Sequence, residues 1–361
     1  MNSVIESIIV RLLDDVDADA SSSQEAQSIL NSKDVTDDEV FLLASGLLVR
    51  RIVHGNKLAL VRNLAGEVLS GSSSSSSVAC SCLLKYIEGK IEHDDLLQLQ
   101  RILNYGPQLT KTELRLASIA YALALLSLQL PLVLISYLKR VEVDSICSVI
   151  RLLSCEAYFQ IAEYNYLFEK LSTLQQGIGS DWQARIAELA LIRSGDLNGA
   201  VEMISHRHKQ GLPLSDDVLL EFCVVSYRHE YFDPKVDPIV EESPVVSLQA
   251  RLRYKAVGAF ARGEYYESLN LLREVLPKVD DYLVQTMYFE ISAKVNGLVV
   301  IEREIADYKE LYGEDVFWFA VVSAIQSAHG ELMNPFNDDP SLPYDQTEFF
   351  TYYSIISLAL K

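Results

Sequence analysis

The sequence predicts an all-α protein built of stacked helix–turn–helix units. Gly195, Gly263 and Gly297 lie 68 and 34 residues apart, and the midpoint of the longer interval is His229. Each of these positions separates two apolar segments with helical periodicity. A helical hairpin repeated every 34 residues is typical of arrays in which each unit packs on its neighbours. Strand signals are weak, because no Asn-Gly or Asp-Gly pair lies between two runs of alternating apolar and polar residues.

For residues 1–107 we predict helical repeats that are less regular than those of the rest of the chain. An apolar stripe over residues 4–13 indicates an amphipathic first helix. The segments 40–53 and 58–69 predict the first clear pair of helices. The serine-rich run 71–77 predicts a flexible loop, because serine hydroxyls compete for backbone hydrogen bonds and offer no apolar surface to bury.

Two threonines mark expected helix starts. Thr36 and Thr110 are each followed three residues later by a glutamate, Glu39 and Glu113. At this spacing the threonine side chain can accept a hydrogen bond from the glutamate N–H, and the glutamate side chain can accept one from the threonine N–H. We therefore predict helices that begin directly after both threonines.

The regular array is predicted over residues 108–333, followed by a linker and an apolar capping helix over 334–361. The whole chain predicts about eight helix pairs plus this cap. Residues 116–138 are apolar over a length that fits a membrane span. Pro131 suits the first turn of a new helix, so we predict two buried helices here. A kinked membrane span is the alternative.

Composition limits the possible functions. The formal net charge is −19, which argues against nucleic acid as a partner because a phosphate-binding surface needs clustered lysine and arginine. The same charge favours basic partners. The five cysteines are scattered along the chain, which predicts free thiols in a reducing compartment such as the cytoplasm. No basic segment precedes an apolar core near the N-terminus, so no signal peptide is expected.

Small residues accompany the glycine turns. They lie on both sides of Gly195 and Gly263, at Ala184, Ala187, Ala200, Ala256, Ala259 and Ser268. This pattern resembles the tetratricopeptide repeat, in which small residues lie where the two helices of a hairpin cross. The resemblance implies a right-handed α-solenoid whose first helices line a concave groove that binds peptides, helices or folded subunits. The chain departs from the family pattern because it lacks the Trp-x-x-Leu-Gly start and has Pro234 in place of a small helical residue.

The resemblance also implies which residues face the concave groove. By repeat position these are Trp182, Arg185, Leu189, Arg193, Tyr227, Arg253, Phe260, Met287 and Lys294. The basic members would form a strip able to hold an acidic or carboxylate-ended segment of a protein partner. The alternative is that they are solvated charges at helix ends.

The last predicted helix is almost wholly apolar. Its residues Phe349, Phe350, Tyr353 and Ile356 leave little polar surface. A terminal helix of this kind is either folded back into the chain or covered by another chain, including a second copy. We expect burial within the chain, with an interface as the alternative.

Signals for chemistry are weak. The spacing of Cys80 and Cys82 does not fit a zinc site, and no phosphate-binding loop or nucleophile motif occurs, so neither metal nor cofactor is predicted. The sequence therefore predicts a non-catalytic interaction scaffold or adaptor, a subunit of a multiprotein complex. The alternatives are an acidic chaperone for a basic client and an all-α enzyme whose site escapes motif search.

Overall fold

The computed structural model describes residues 3–14, 20–31, 35–54, 74–105, 109–140, 147–174, 180–275, 282–297, 319–321, 323–324, 327 and 346–359. Within these ranges every regular element is a helix and no strand occurs, so the all-α prediction is confirmed for the described residues. None of the helices in these ranges is both long and apolar enough to cross a bilayer.

The chain divides into two compact units, Met1–Ala190 and Leu191–Lys361. The helices of the first unit, with α10 running across the boundary, are α1 Ser3–Asp14, α2 Ala20–Leu30, α3 Asp37–His54, α4 Ser75–Glu88, α5 His93–Tyr105, α6 Lys111–Ser127, α7 Pro131–Leu138, α8 Ser148–Gln160, α9 Tyr164–Ser172 and α10 Ser180–Arg193. Those of the second are α11 Leu197–Lys209, α12 Asp216–Arg228, α13 Asp237–Glu242, α14 Leu248–Ala261, α15 Tyr265–Val275, α16 Tyr282–Asn296 and α17 Gln346–Ala359. The predicted divisions at residues 107 and 333 stay predictions.

Helix α1 is packed into the core of the first unit. Its apolar side packs against α3, α6 and α8, and its residues Ile8 and Ile9 are fully buried. Helix α6 also packs against α4, α5, α7 and α8. In the second unit, α14 packs against α12 and α15, and α15 packs against α16. In each unit, therefore, the first helix of one hairpin contacts the first helix of the next, α6 with α8 and α12 with α14.

The predicted helix starts are confirmed. The Thr110 and Glu113 side chains cap each other's backbone N–H groups at the start of α6, and the Thr110 N–H donates to the Glu113 carboxylate at 2.8 Å. Thr36 and Glu39 make the equivalent pair of bonds before α3. Pro131 is the first residue of α7, where a missing N–H costs nothing. Residues 116–138 thus form parts of two helices, as predicted, but only α6 is buried along this segment. In α7, Leu134 and Ile135 are buried, while Leu132 is 65% and Val133 43% exposed.

The prediction of a loop over residues 71–77 is wrong at its C-terminal end. Ser74 caps α4 by accepting a hydrogen bond from the Ser77 N–H at 3.3 Å, and residues 75–77 form the first turn of the helix. Ser76 and Ser77 are buried. Serine is favoured at helix starts because its hydroxyl satisfies a free N–H group, and this preference outweighs the low complexity of the run. The predicted helix over residues 58–69 lies outside the described residues.

Left-handed backbone recurs along the chain at nearly constant intervals. From α6 onwards, positive φ occurs between the two helices of a hairpin at Gln129, Ala162, Gly195, Glu230 and Gly263 and after the end of α16 at Gly297, with φ from 48° to 83°. They are separated by 33, 33, 35, 33 and 34 residues. Gly89, between α4 and α5, and Gly211, between α11 and α12, also have positive φ but lie outside this spacing. The turn predicted at His229, the midpoint between Gly195 and Gly263, is wrong by one residue, because His229 has φ −99° and Glu230 takes the left-handed conformation.

The turns share their hydrogen bonds as well as their spacing. The Gly263 N–H donates to the Phe260 carbonyl at 2.9 Å, and the Glu264 N–H donates to the Ala259 carbonyl at 2.8 Å. The same pair of bonds ends α6, α8, α10 and α12, with N···O distances of 2.8–3.3 Å. This is the Schellman motif, which satisfies carbonyls left free at a helix C-terminus and needs a left-handed residue.

A reciprocal exchange tests these turns. We expect Ala162→Gly to raise the free energy of unfolding by about 0.5–1 kcal/mol and Gly263→Ala to lower it by about 1 kcal/mol, because a left-handed backbone costs alanine more than glycine. A Cβ at Gly263 would meet no heavy atom within 4 Å, so the loss would be conformational. Urea unfolding followed by circular dichroism measures both. Changes of the same sign in the two variants would contradict the assignment.

Small buried residues stand five positions before the left-handed residue in most hairpins: Ala124, Ala157, Ala190, Gly258 and Ser292. A small side chain at this point lets a neighbouring element approach the helix closely. At Gly258 the approach is tightest, because a Cβ there would lie 2.6 Å from the Phe232 ring. The periodicity therefore extends from the turns into the packing of the first helices.

Candidate functional site

A groove on the surface of the first unit combines aromatic, basic and apolar side chains and has a volume of about 530 Å³. Its lining residues are Arg51, Ile52, Val53, Tyr86, Ile87, Asp181, Trp182 and Arg185. We call it the Trp182 groove. Its walls are the C-terminal ends of α3 and α4 and the first turns of α10. All of these residues belong to the first unit.

Trp182 is held in a defined orientation. Its indole Nε1–H donates a hydrogen bond of 2.9 Å to Glu156 Oε2 on α8. Both side chains are half-buried. A tryptophan whose polar atom is already satisfied presents a rigid ring, so little conformational entropy is lost when another molecule packs on it.

Electrostatics around Tyr86 show how close the charged groups lie. Burial raises the pKa of the Tyr86 hydroxyl, the Glu156 carboxylate raises it further, and the Arg185 guanidinium lowers it. Arg185 therefore lies near the phenol. With Arg51, two guanidinium groups line the groove against one carboxylate, Asp181.

The composition of the Trp182 groove is that of a protein-binding surface. Tryptophan, tyrosine and arginine are the residues that most often dominate the affinity of protein interfaces. Ile52, Val53 and Ile87 add an apolar surface between them. The groove can thus bury an apolar side chain of a partner while its two arginines meet a carboxylate or a carbonyl.

The structure places five of the nine predicted groove residues in the interior. Leu189, Tyr227, Arg253, Phe260 and Met287 are all at most 4% exposed. The rings of Tyr227 and Phe260 pack on each other with centroids 4.7 Å apart. These side chains are covered by the chain itself and cannot meet a partner without rearrangement.

The other predicted basic residues are accessible but already engaged. Arg193 Nε lies 2.9 Å from Glu221 Oε1, and Lys294 Nζ lies 2.8 Å from Glu290 Oε1. Lys294 also stands 5.0 Å from the centroid of the Phe260 ring. The Arg193 pair is solvent-accessible and exchanges readily, so it weakens the attraction for an acidic segment without abolishing it. In the Lys294 pair, the Glu290 side chain is only 14% exposed.

The last helix shows both burial and exposure. Phe349 is fully buried and its ring centroid lies 5.4 Å from that of Phe319. The Tyr353 hydroxyl is 2.8 Å from the Ser327 hydroxyl. Phe350 is 41% exposed, and the Ile356 side chain lies outside the described residues. The expected burial of the helix is thus seen at Phe349, while Phe350 keeps an apolar surface.

Four of the five thiols are poorly suited to act as nucleophiles. All five cysteines are free and buried, which confirms the prediction of free thiols. Burial raises the pKa of Cys80 to about 11 and that of Cys82, Cys155 and Cys223 to about 12. A nucleophilic cysteine requires a lowered pKa, so these four side chains are structural. In the described part of the chain, no group of three or more His, Cys, Asp or Glu residues could hold a metal ion.

No protein-family model matches the chain, and no curated protein sequence matches it.

Proposed function

We propose that the protein is a non-catalytic adaptor, a subunit of a multiprotein assembly that binds a segment of a partner protein in the Trp182 groove. The observation that carries this proposal is the groove itself, where an anchored tryptophan and two arginines surround an apolar surface. The raised pKa values of Cys80, Cys82, Cys155 and Cys223 fit a structural role for these four thiols in such an adaptor. The free cysteines support a reducing compartment such as the cytoplasm.

We propose further that the hairpins stack as in the tetratricopeptide repeat, in a right-handed solenoid. The left-handed residues at intervals of 33–35, the Schellman bonds of five turns and the small residues before most of the turns support this arrangement. So do the contacts of α6 with α8 and of α12 with α14, since neighbouring hairpins of a solenoid pack first helix against first helix.

Substitutions in the Trp182 groove test the binding proposal. The test uses a partner protein that copurifies in stoichiometric amount. We expect Trp182→Ala to weaken the binding of this partner by at least about 2 kcal/mol, roughly thirtyfold in Kd, because a central aromatic anchor is lost. Arg185→Glu should act in the same direction, since it reverses a charge that lines the groove. Binding is measured by surface plasmon resonance after circular dichroism has shown unchanged helicity.

Matched controls separate binding from folding. Tyr266→Ala removes an aromatic side chain that is 71% exposed, and Arg101→Glu reverses an exposed charge outside the groove. Trp182→Phe is a further groove variant, which keeps an aromatic ring while it removes the hydrogen bond to Glu156 and the pyrrole part of the indole. Equal loss of affinity in the controls and in the groove variants would reject the groove as the binding site.

The net charge of −19 favours a second candidate, an acidic chaperone for a basic client. Such binding would weaken steeply with salt concentration, because it depends on opposite charge over a wide surface. Binding through the Trp182 groove would depend more on Trp182 than on salt. Measuring the partner's affinity at low and high salt in the wild type and in Trp182→Ala distinguishes the two.

A further inference from the structure

A second pocket lies between α7, α8 and α9 and shares no residue with the Trp182 groove. Its lining consists of Ile135, Leu138, Lys139, Ile150, Arg151, Ser154, Tyr158, Lys170 and Thr173, and its volume is about 430 Å³. Volumes of this size accommodate a small ligand or one bulky side chain. We call it the three-cation pocket.

The charge of this pocket contrasts with that of the chain. Lys139, Arg151 and Lys170 are exposed, and among the residues that the structure describes no acidic side chain lines the pocket. Of the carboxylates that the structure describes, none forms an ion pair with these three side chains. Three cations with no ion pair among the described residues stand out on a chain of net charge −19.

The base of the pocket is apolar. Ile135 and Ile150 are buried, and Leu138 is half-buried beside them. The Tyr158 ring stacks on Tyr166 with centroids 5.8 Å apart, and Tyr166 is 55% exposed. The apolar surface therefore continues from the pocket on to the face of α9, which a simple ion would leave uncovered.

Other charged groups face this region. The carboxylates of Glu163 and Glu169 lie near the Tyr158 hydroxyl, where together with burial they raise its pKa. Lys139 and Lys170 stand at the C-terminal ends of α7 and α9, where a positive charge also interacts favourably with the helix dipole. Glu163 and Glu169 therefore lie beside Tyr158, one of the lining residues, and would repel an acidic ligand at that point of the pocket.

We propose that the three-cation pocket binds an acidic protein segment, inserting a bulky apolar side chain between flanking carboxylates. Charge complementarity selects the carboxylates, and the apolar base together with Tyr166 selects a side chain rather than a free anion. The site goes beyond the proposed function of the Trp182 groove and does not depend on it.

Fluorescence anisotropy with a panel of labelled peptides tests this proposal on the full chain. Each peptide carries a leucine–phenylalanine pair flanked by glutamates, with the flanking order varied across the panel. We expect saturable binding by wild-type protein and a loss of about tenfold or more in Arg151→Glu/Lys170→Glu, because two of the cations are reversed. The matched control Arg101→Glu/Lys111→Glu changes the net charge equally at exposed sites outside the pocket and should bind within about twofold of wild type.

Two further peptides and one variant fix the chemistry. Peptides with glutamine for glutamate, or with serine for the apolar pair, should both bind at least about tenfold more weakly. Trp182→Ala should bind as wild type does, so failure here is distinguishable from failure of the proposed function. Equal affinities of the two double variants, equal binding of the serine peptide, competition by inorganic phosphate at matched concentration, or no saturable binding by any peptide would each overturn the proposal.

Discussion

Raising the pH from about 8 to about 12 is expected to unfold the protein, because its buried thiols deprotonate at a higher pH in the folded chain than in the unfolded chain. In the folded chain, burial raises the pKa of Cys80 to about 11 and of Cys82, Cys155 and Cys223 to about 12, against an ordinary value of 9.0. Each pKa unit corresponds to about 1.4 kcal/mol, so the combined loss is comparable with the total stability of a typical domain.

The sign of this effect is fixed by the direction of the shifts. A group whose pKa is raised on folding contributes its stability fully below the unfolded pKa and loses it as the pH rises through the folded pKa. Burial also raises the pKa of Tyr137 and Tyr254, which adds to the loss at alkaline pH. The lowered pKa values of Glu241 and Glu264 belong to exposed groups and change little on the acid side.

Urea unfolding at constant ionic strength over this pH range measures the loss. The variant Cys82→Ala/Cys155→Ala/Cys223→Ala removes three of the groups, so its stability should fall less steeply above pH about 9, even if it starts lower at neutral pH. A variant that loses stability as steeply as the wild type would show that the thiols are not the cause.

Replacing Phe349 by alanine is expected to lower the free energy of unfolding by about 3–5 kcal/mol, whereas replacing its neighbour Phe350 should cost less than about 1 kcal/mol. Phe349 is fully buried and packs on the rings of Phe319 and Tyr353, while Phe350 is 41% exposed. The two residues are adjacent in one helix, so helix propensity changes equally in both variants. Urea unfolding gives both values.

The same pair of variants separates burial from self-association. If Phe350 contacts a second copy, Phe350→Ala should reduce the mass measured by light scattering and leave the stability of the monomer nearly unchanged. Equal losses of stability in the two variants would contradict the placement of α17.

Local features of this fold could be predicted from the sequence because they depend on neighbouring residues. The capping pairs Thr36–Glu39 and Thr110–Glu113 and the start of α7 at Pro131 each follow from a few side chains and one backbone requirement. Glycine occupies the left-handed position in only some of the turns. Gln129, Ala162 and Glu230 adopt the same left-handed backbone without glycine, because the surrounding hairpin imposes it.

The site was harder to predict because it depends on contacts between distant segments. Trp182 and Arg185 were expected to face a partner and do line a groove, but Arg51 and Tyr86 come from helices more than 90 residues earlier in the chain. Repeat position also gave no sign that Arg253 would be covered. Helical periodicity identifies which residues share a face, and only tertiary packing decides whether that face stays open.

Site-specific photocrosslinking tests the central claim, that the Trp182 groove holds a partner segment. A photoreactive benzoylphenylalanine in place of Ile87, which lines the groove, should give one discrete adduct in the native cell, and Trp182→Ala/Arg185→Glu should abolish that adduct. The same amino acid in place of the exposed Arg101 should not give it. No adduct at position 87, or the same adduct at both positions, would contradict the account.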